Sequence, residues 1–168
     1  QKSIPALNTS EEVVLPKDRE IQHELEIVVL IGKDGENISI DDAKTFIHGY
    51  GLGLDLTDRK YQMELKANKL PWLLAKSFKG SAVVSSFKPN EIMEDFWLKV
   101  NGNIRQKGSR NDMVFSISAQ IAYLSEMIPL IRGDLIFTGT PSGVGPLSQG
   151  DQLELGIGDH SIHSISVS

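Results

Sequence analysis

The chain of 168 residues is long enough for one domain with a sizeable core. Its 40% hydrophobic and 23% charged content are those of an ordinary globular protein, and a net charge of −5 with no Lys/Arg cluster argues against a nucleic-acid-binding surface. The absence of cysteine excludes a disulfide framework and thiolate metal sites and fits a reducing compartment, cytoplasm or mitochondrial matrix, while no apolar run is long enough for a membrane-spanning helix.

Residues 1–20 read as polar and irregular, with Pro5 and Pro16 as breakers. Residues 22–32 read as a strand ended by Gly32. Within it Glu24 and Glu26 share one face, roughly 7 Å apart, and Val28 and Leu30 continue that face. A stripe that starts acidic and turns apolar places both carboxylates at the mouth of something buried. Buried like charges are costly unless a cation compensates them. Two solvated acids at the frayed start of an edge strand fit this stretch equally well. Residues 33–37 carry an Asp-Gly turn signal. Ser39 and Asp42 form a capping box for a short helix over 40–47.

In "GYGLGLDLTDRKYQ", residues 49–62, Gly49, Gly51, Gly53 and Asp55 fall on one face of an extended run. Three glycines on one face mean that another backbone or a ligand comes close. Residues 70–78, "LPWLLAKSF", are apolar around Lys76. Residues 96–108 form a hairpin turning at Asn101-Gly102. The pattern over 111–127 predicts a helix capped by Asn111 or Asp112, with an apolar stripe of Ile117, Ile121, Leu124 and Ile128. Residues 133–145 read as a buried strand feeding a Gly/Thr/Pro loop, and 151–157 with 161–167 as a closing hairpin. There is no internal repeat and no linker. The sum is one α+β, mostly β domain over 1–168 with two or three short helices.

Three acids stand out as chemistry: Glu24, Glu26 and Asp55. Carboxylates without cysteine point to a hard cation, Mg²⁺, Mn²⁺ or Ca²⁺, and three monodentate ligands leave about three octahedral positions for water and substrate. No EF-hand loop is present. His23 points away from both glutamates on a strand and reads as a satisfied structural histidine. "TGTPSGVG" lacks the Gly-Lys-Ser/Thr of a P-loop, so its Thr hydroxyls and backbone N–H groups either hold a carboxylate or simply close a tight turn. Lys76 in an apolar setting needs an anion. With Arg59 and Gln62 it completes a set suited to a metal and an anionic, oxygen-rich ligand. A calcium-dependent binding module is the rival reading, and the cations Arg59 and Lys76 speak against it.

The stretches "HELEIVVLIG", "GYGLGLDLTDRKYQ", "LPWLLAKSF", "WLKVNGNIRQ", "DMVFSISAQIAYLS" and "GDLIFTGTPSGVGPLSQGD" together resemble the fumarylacetoacetate hydrolase family. They are most similar to its branch of small acylpyruvases and oxaloacetate-handling enzymes. The resemblance implies a mixed β-sheet fold, a homodimer, and Mg²⁺ (or Mn²⁺ or Ca²⁺) held by Glu24, Glu26 and Asp55. It implies a 2-oxo acid substrate bound by Arg59, Gln62, Lys76 and Thr140, with Lys76 catalytic. The reaction is then acylpyruvate hydrolysis, or decarboxylation or keto–enol tautomerisation of oxaloacetate. Two departures stand out. Lys60 follows Arg59 where the family carries an acid. The family's His and Glu pair belongs to a segment upstream of Gln1, which leaves as an alternative a member that binds metal and oxo acid without catalysis.

Overall fold

Alternating and continuous apolar runs dominate the sequence, and the computed structural model, which describes residues 2–168, is correspondingly rich in strand. Gln1, the first residue of the segment read as irregular, lies outside the described residues. In chain order the strands are β1 (Leu7–Asn8), β2 (Glu12–Val13), β3 (Ile21–His23), β4 (Leu25–Ile31), β5 (Ile47–Asp55), β6 (Thr57–Asp58) and β7 (Ala82–Val84). They continue as β8 (Phe96–Val100), β9 (Asn103–Gly108), β10 (Leu135–Phe137), β11 (Gly145–Pro146), β12 (Gln152–Ile157) and β13 (His160–Val167). Three α-helices interrupt them: α1 (Arg59–Ala67), α2 (Leu73–Lys76) and α3 (Ile117–Met127). The fold is mixed and mostly β, as the sequence predicts.

The strands form three sheets, ordered β1-β7-β5-β4-β10, β11-β3-β6 and β2-β13-β12-β8-β9. β4 lies inside the first sheet between β5 and β10, and all its residues but Leu30 are buried. That position explains its nearly continuous apolar run, since neither face meets water. Its side chains join those of Leu52, Leu54, Leu98, Leu153, Leu155 and Ile165 in one contiguous core shared by the two five-stranded sheets.

The predicted strand over 22–32 is two strands. β3 pairs with β6 and β11, and β4 pairs with β5 and β10, so the chain changes sheets at Glu24. The glycine face of β5 is explained by backbone rather than by a ligand. A Cβ on Gly53 would stand 2.6 Å from Val83 O, and one on Gly51 would stand 3.1 Å from Ser86 O. Residues 83–86 run so close to β5 that a Cβ is excluded at Gly53 and crowded at Gly51.

Two helix expectations change. Asp42 N donates to Ser39 Oγ and Ser39 Oγ to Asp42 Oδ2, but among the described residues no bond from Ser39 N closes the predicted capping box, and only a single 3₁₀ turn, Ala43–Phe46, follows, with Asp42 as an N-cap that makes no side-chain cap bond. Asn111 and Asp112 belong to a separate 3₁₀ turn that Ser109 and Asp112 close on each other. The chain is extended again at Met113, and α3 starts after Ser116, whose hydroxyl accepts from Ala119 N. Ile117 and Ile121 are buried as expected, whereas Ile128 is extended and exposed because the helix has already ended. The hairpin turn lies at Asn101-Gly102, both with positive φ, at 52° and 75°. The closing hairpin of β12 and β13 also forms.

Candidate metal and anion site

Glu24, Glu26 and Asp55 converge because of register. Leu25 of β4 pairs with Leu54 of β5, and Asp55 N donates to Glu24 O, so Glu24 and Asp55 face each other across the ladder. Glu26 is two residues along the same strand and shares the face. Each of the three offers a carboxylate oxygen within 4.8 Å of the others. Glu24 and Glu26 are 8% and 4% exposed. Burial pushes the Glu26 carboxyl up to about 7, against a 2.7 Å hydrogen bond from Gly139 N, with Asp55 and Glu24 adding to the rise.

Three cations surround the carboxylates. Lys76, at the end of α2, spends all three N–H donors here: on Glu24 Oε2 at 2.7 Å, Asp55 Oδ2 at 2.8 Å and Thr57 Oγ1 at 2.7 Å. Burial works to lower its pKa, but Asp55 and Glu24 outweigh burial and hold it above its ordinary value. Arg59 opens α1, which Asp58 caps by accepting from Tyr61 N. Its guanidinium pairs with Glu24 Oε1 and donates to Gln22 Oε1 at 2.9 Å and Gln62 Oε1 at 2.6 Å. Arg59 and Gln62 meet because residues three apart share a helix face.

The third cation, Lys2, escaped sequence reasoning. It sits in the segment read as irregular, 53 positions before the nearest carboxylate it meets. Its ammonium donates to Leu56 O, Ser81 Oγ and Lys76 O, and lies 2.8 Å from Asp55 Oδ1 as an ion pair. Burial holds its pKa below the ordinary lysine value in spite of Asp55. With its three donors committed elsewhere, Asp55 Oδ1 remains buried and without a hydrogen bond among the described residues.

Thr140 lies beside the trio, but its hydroxyl is committed to protein. It donates to Leu25 O at 2.9 Å and accepts from Gln106 Nε2 at 2.8 Å. His23 is buried and bonded through Nδ1 to Gln106 Oε1 at 2.8 Å, and burial lowers its pKa. It behaves as the structural histidine the sequence suggests. Lys60 is exposed at the start of α1 and takes part in none of these bonds.

The donor set suits a divalent cation. It is all oxygen, clustered and largely buried, with one oxygen held only by the Lys2 ion pair and one carboxyl whose pKa is raised by burial and neighbouring acids. A mixed β fold carrying a carboxylate trio at a sheet junction, ringed by Lys and Arg, defines a candidate metal centre. The chain belongs to the fumarylacetoacetate hydrolase family: residues 2–165 match the model of the fumarylacetoacetate (FAA) hydrolase C-terminal domain. It is 49% identical over 144 residues to oxaloacetate tautomerase FAHD1, mitochondrial, of Mus musculus, covering 83% of this chain and 65% of that protein. It is 41% identical over 143 residues to oxaloacetate decarboxylase, mitochondrial, of Dictyostelium discoideum, covering 82% of this chain and 66% of that protein. The chain thus spans just under two thirds of the length of these relatives. Among solved structures it is similar to fumarylpyruvate hydrolase from Pseudomonas aeruginosa in complex with Mn²⁺ and pyruvate, with a TM-score of 0.92 and 30% identity over 99% of this chain and 76% of that one.

Proposed function

We propose that this chain is the metal-binding core of an enzyme acting on small 2-oxo acids, with Glu24, Glu26 and Asp55 holding Mg²⁺ or Mn²⁺. The observation that carries the reading is the balance of charge at one point. Three clustered carboxylates meet three cations, Lys2, Arg59 and Lys76. A divalent ion added to that neutral set leaves two positive charges, which a dianion such as oxaloacetate matches.

A bound divalent cation would supply Lewis-acid polarisation of the keto oxygen. The protein's own part is mostly fixed charge. Lys76 holds its proton firmly, so it acts as an electrostatic stabiliser rather than a base. It steadies negative charge that grows on the keto oxygen as CO₂ leaves, as a C–C bond breaks or as an α-proton departs. Arg59 offers a planar fork matched to a carboxylate, and Gln62 orients that fork. On the loop whose Gly139 N–H holds Glu26, a cavity of about 370 Å³, lined in part by Phe96, Met113, Phe115, Thr138 and Thr140, would leave room for the distal end of a substrate.

Among the three reactions, those of oxaloacetate are favoured by the relatives' names, tautomerase and decarboxylase. The mitochondrial location in both names favours the matrix. The exposed apolar side chains of Tyr123, Met127, Ile128 and Ile131 fit a homodimer through the outer side of α3. The test is to titrate the chain with Mn²⁺, then with oxalate, and to follow oxaloacetate enol by absorbance. Oxalate binding that requires Mn²⁺, together with faster loss of enol or CO₂ release, is expected. Oxalate binding that ignores the metal would overturn the reading.

A further inference from the structure

The edge of β4 that faces away from β5 lacks a full strand partner beneath the metal carboxylates. β10 pairs only with Val28, Val29 and Leu30 and ends at Phe137. Buried backbone groups need partners, and here side chains supply most of them, with Thr138 N adding a backbone bond to Ile27 O at 3.2 Å. Thr138 Oγ1 donates to Ile27 O at 2.9 Å, and Thr140 Oγ1 donates to Leu25 O at 2.9 Å. Leu25 N donates to Gln106 Oε1 at 3.0 Å.

Gln106 does more than fill the ladder. It comes from β9, in a different sheet, and is 1% exposed. Its Nε2 donates to Thr140 Oγ1 at 2.8 Å and to Pro141 O at 3.0 Å. The amide has only one orientation that satisfies both ends, since Leu25 N can only donate and Pro141 O can only accept. His23 Nδ1, 2.8 Å from the same Oε1, must then carry the ring proton and donate. One buried amide therefore ties together His23 beside Glu24, Leu25 between the two glutamates, and the loop whose Gly139 N–H holds Glu26.

We infer that Gln106 is the positioning residue of the metal site, clamping the backbone between Glu24 and Glu26 to the 138–141 loop and so fixing the spacing of both carboxylates. It touches neither metal nor substrate and acts through Leu25, Thr140 and the loop. The inference rests on the reading of the trio as a metal centre.

The experiment compares Mn²⁺ affinity by calorimetric titration, oxalate affinity and Tm for wild type, Gln106→Leu, Gln106→Glu and Thr140→Val. Gln106→Leu is expected to weaken Mn²⁺ binding by about tenfold or more, the scale on which outer partners of metal ligands act. Gln106→Glu keeps the acceptor for Leu25 N but sets an oxygen against Thr140 and Pro141, so it should fold and still lose affinity. Thr140→Val should weaken binding less than additively when combined with Gln106→Leu, because both cut the same link. Ile165→Val, in the far sheet, should lower Tm and leave Mn²⁺ affinity alone. Folded Gln106→Glu or Gln106→Leu with wild-type Mn²⁺ affinity would overturn the inference. Wild type without Mn²⁺ affinity would instead overturn the metal reading beneath it.

Discussion

The Lys2 ammonium lies 2.8 Å from Asp55 Oδ1, so a residue 53 positions away in sequence occupies space beside one of the proposed metal carboxylates. The ion pair places a positive charge where a cation would approach. Lys2→Met should therefore tighten Mn²⁺ binding by about tenfold or more, since like charges about 4 Å apart repel by about 4 kcal/mol at an effective dielectric of 20, of which solvent screening leaves only a part. The same variant should lower Tm, because Leu56 O, Lys76 O and Ser81 lose a shared donor. Mn²⁺ titration and thermal melts read the two effects separately. Weaker metal binding in Lys2→Met would show that the ammonium organises the site rather than competing for it.

Glu26→Gln should trade function for stability. The substitution removes one of the clustered carboxylates, and Mn²⁺ affinity should fall by at least about tenfold. In chelator-treated protein at pH 8 the same change relieves a buried charge. With a carboxyl raised to about 7 from 4.5, the relief is on the order of 3 kcal/mol. The neutral amide oxygen still accepts from Gly139 N. Denaturant unfolding in the presence of chelator checks the sign. A less stable variant would mean that the ionised Glu26 is better solvated than its burial indicates.

The pH dependence follows from the same group. Its folded pKa lies above the ordinary value, so its contribution to stability is complete below about 4.5 and is lost as pH rises through about 7. Chelated protein should melt at progressively lower temperature between pH 5 and pH 8 on account of Glu26. Metal uptake runs the other way. Below about 7 the ion must displace a proton, so Mn²⁺ affinity should fall about tenfold per pH unit there and level off above 8. Calorimetry in two buffers of different ionisation enthalpy counts the released proton directly.

Lys76→Met separates binding from chemistry. Lys76 bridges Glu24 and Asp55, so removing it frees Glu24 Oε2 and Asp55 Oδ2, while Arg59 and Lys2 keep the other two oxygens. Mn²⁺ affinity should hold or rise. Oxaloacetate turnover should fall in kcat/KM by about 10²-fold or more, the loss of one preorganised charge at the reacting oxygen. Steady-state kinetics at saturating Mn²⁺ test it, and near wild-type kcat/KM would take Lys76 out of the chemistry.

The local half of this protein is legible in its sequence. Glu24 and Glu26 share a face because strand side chains alternate, and that holds across the break between β3 and β4. The Asn101-Gly102 turn and the closing hairpin were readable because neighbouring residues make them. The motif order also carried the family. The relations between distant segments come from the assembled sheets. Asp55 meets Glu24 through the β4–β5 register, and the glycines of β5 turned out to admit the backbone of residues 83–86 rather than a ligand. α1 was not foreseen, although Asp58 caps it. The Ser39 and Asp42 side chains bond each other without closing a capping box, and no α-helix follows, because local polar bonds support a helix only where a packed face follows. Lys2 and Gln106 gave no signal at all. One lies in a polar, irregular run and the other in an ordinary hairpin strand. Each gains its place at the site only when the sheets assemble, since a buried polar group's partners are set by packing across the core and not by the residues beside it in the chain.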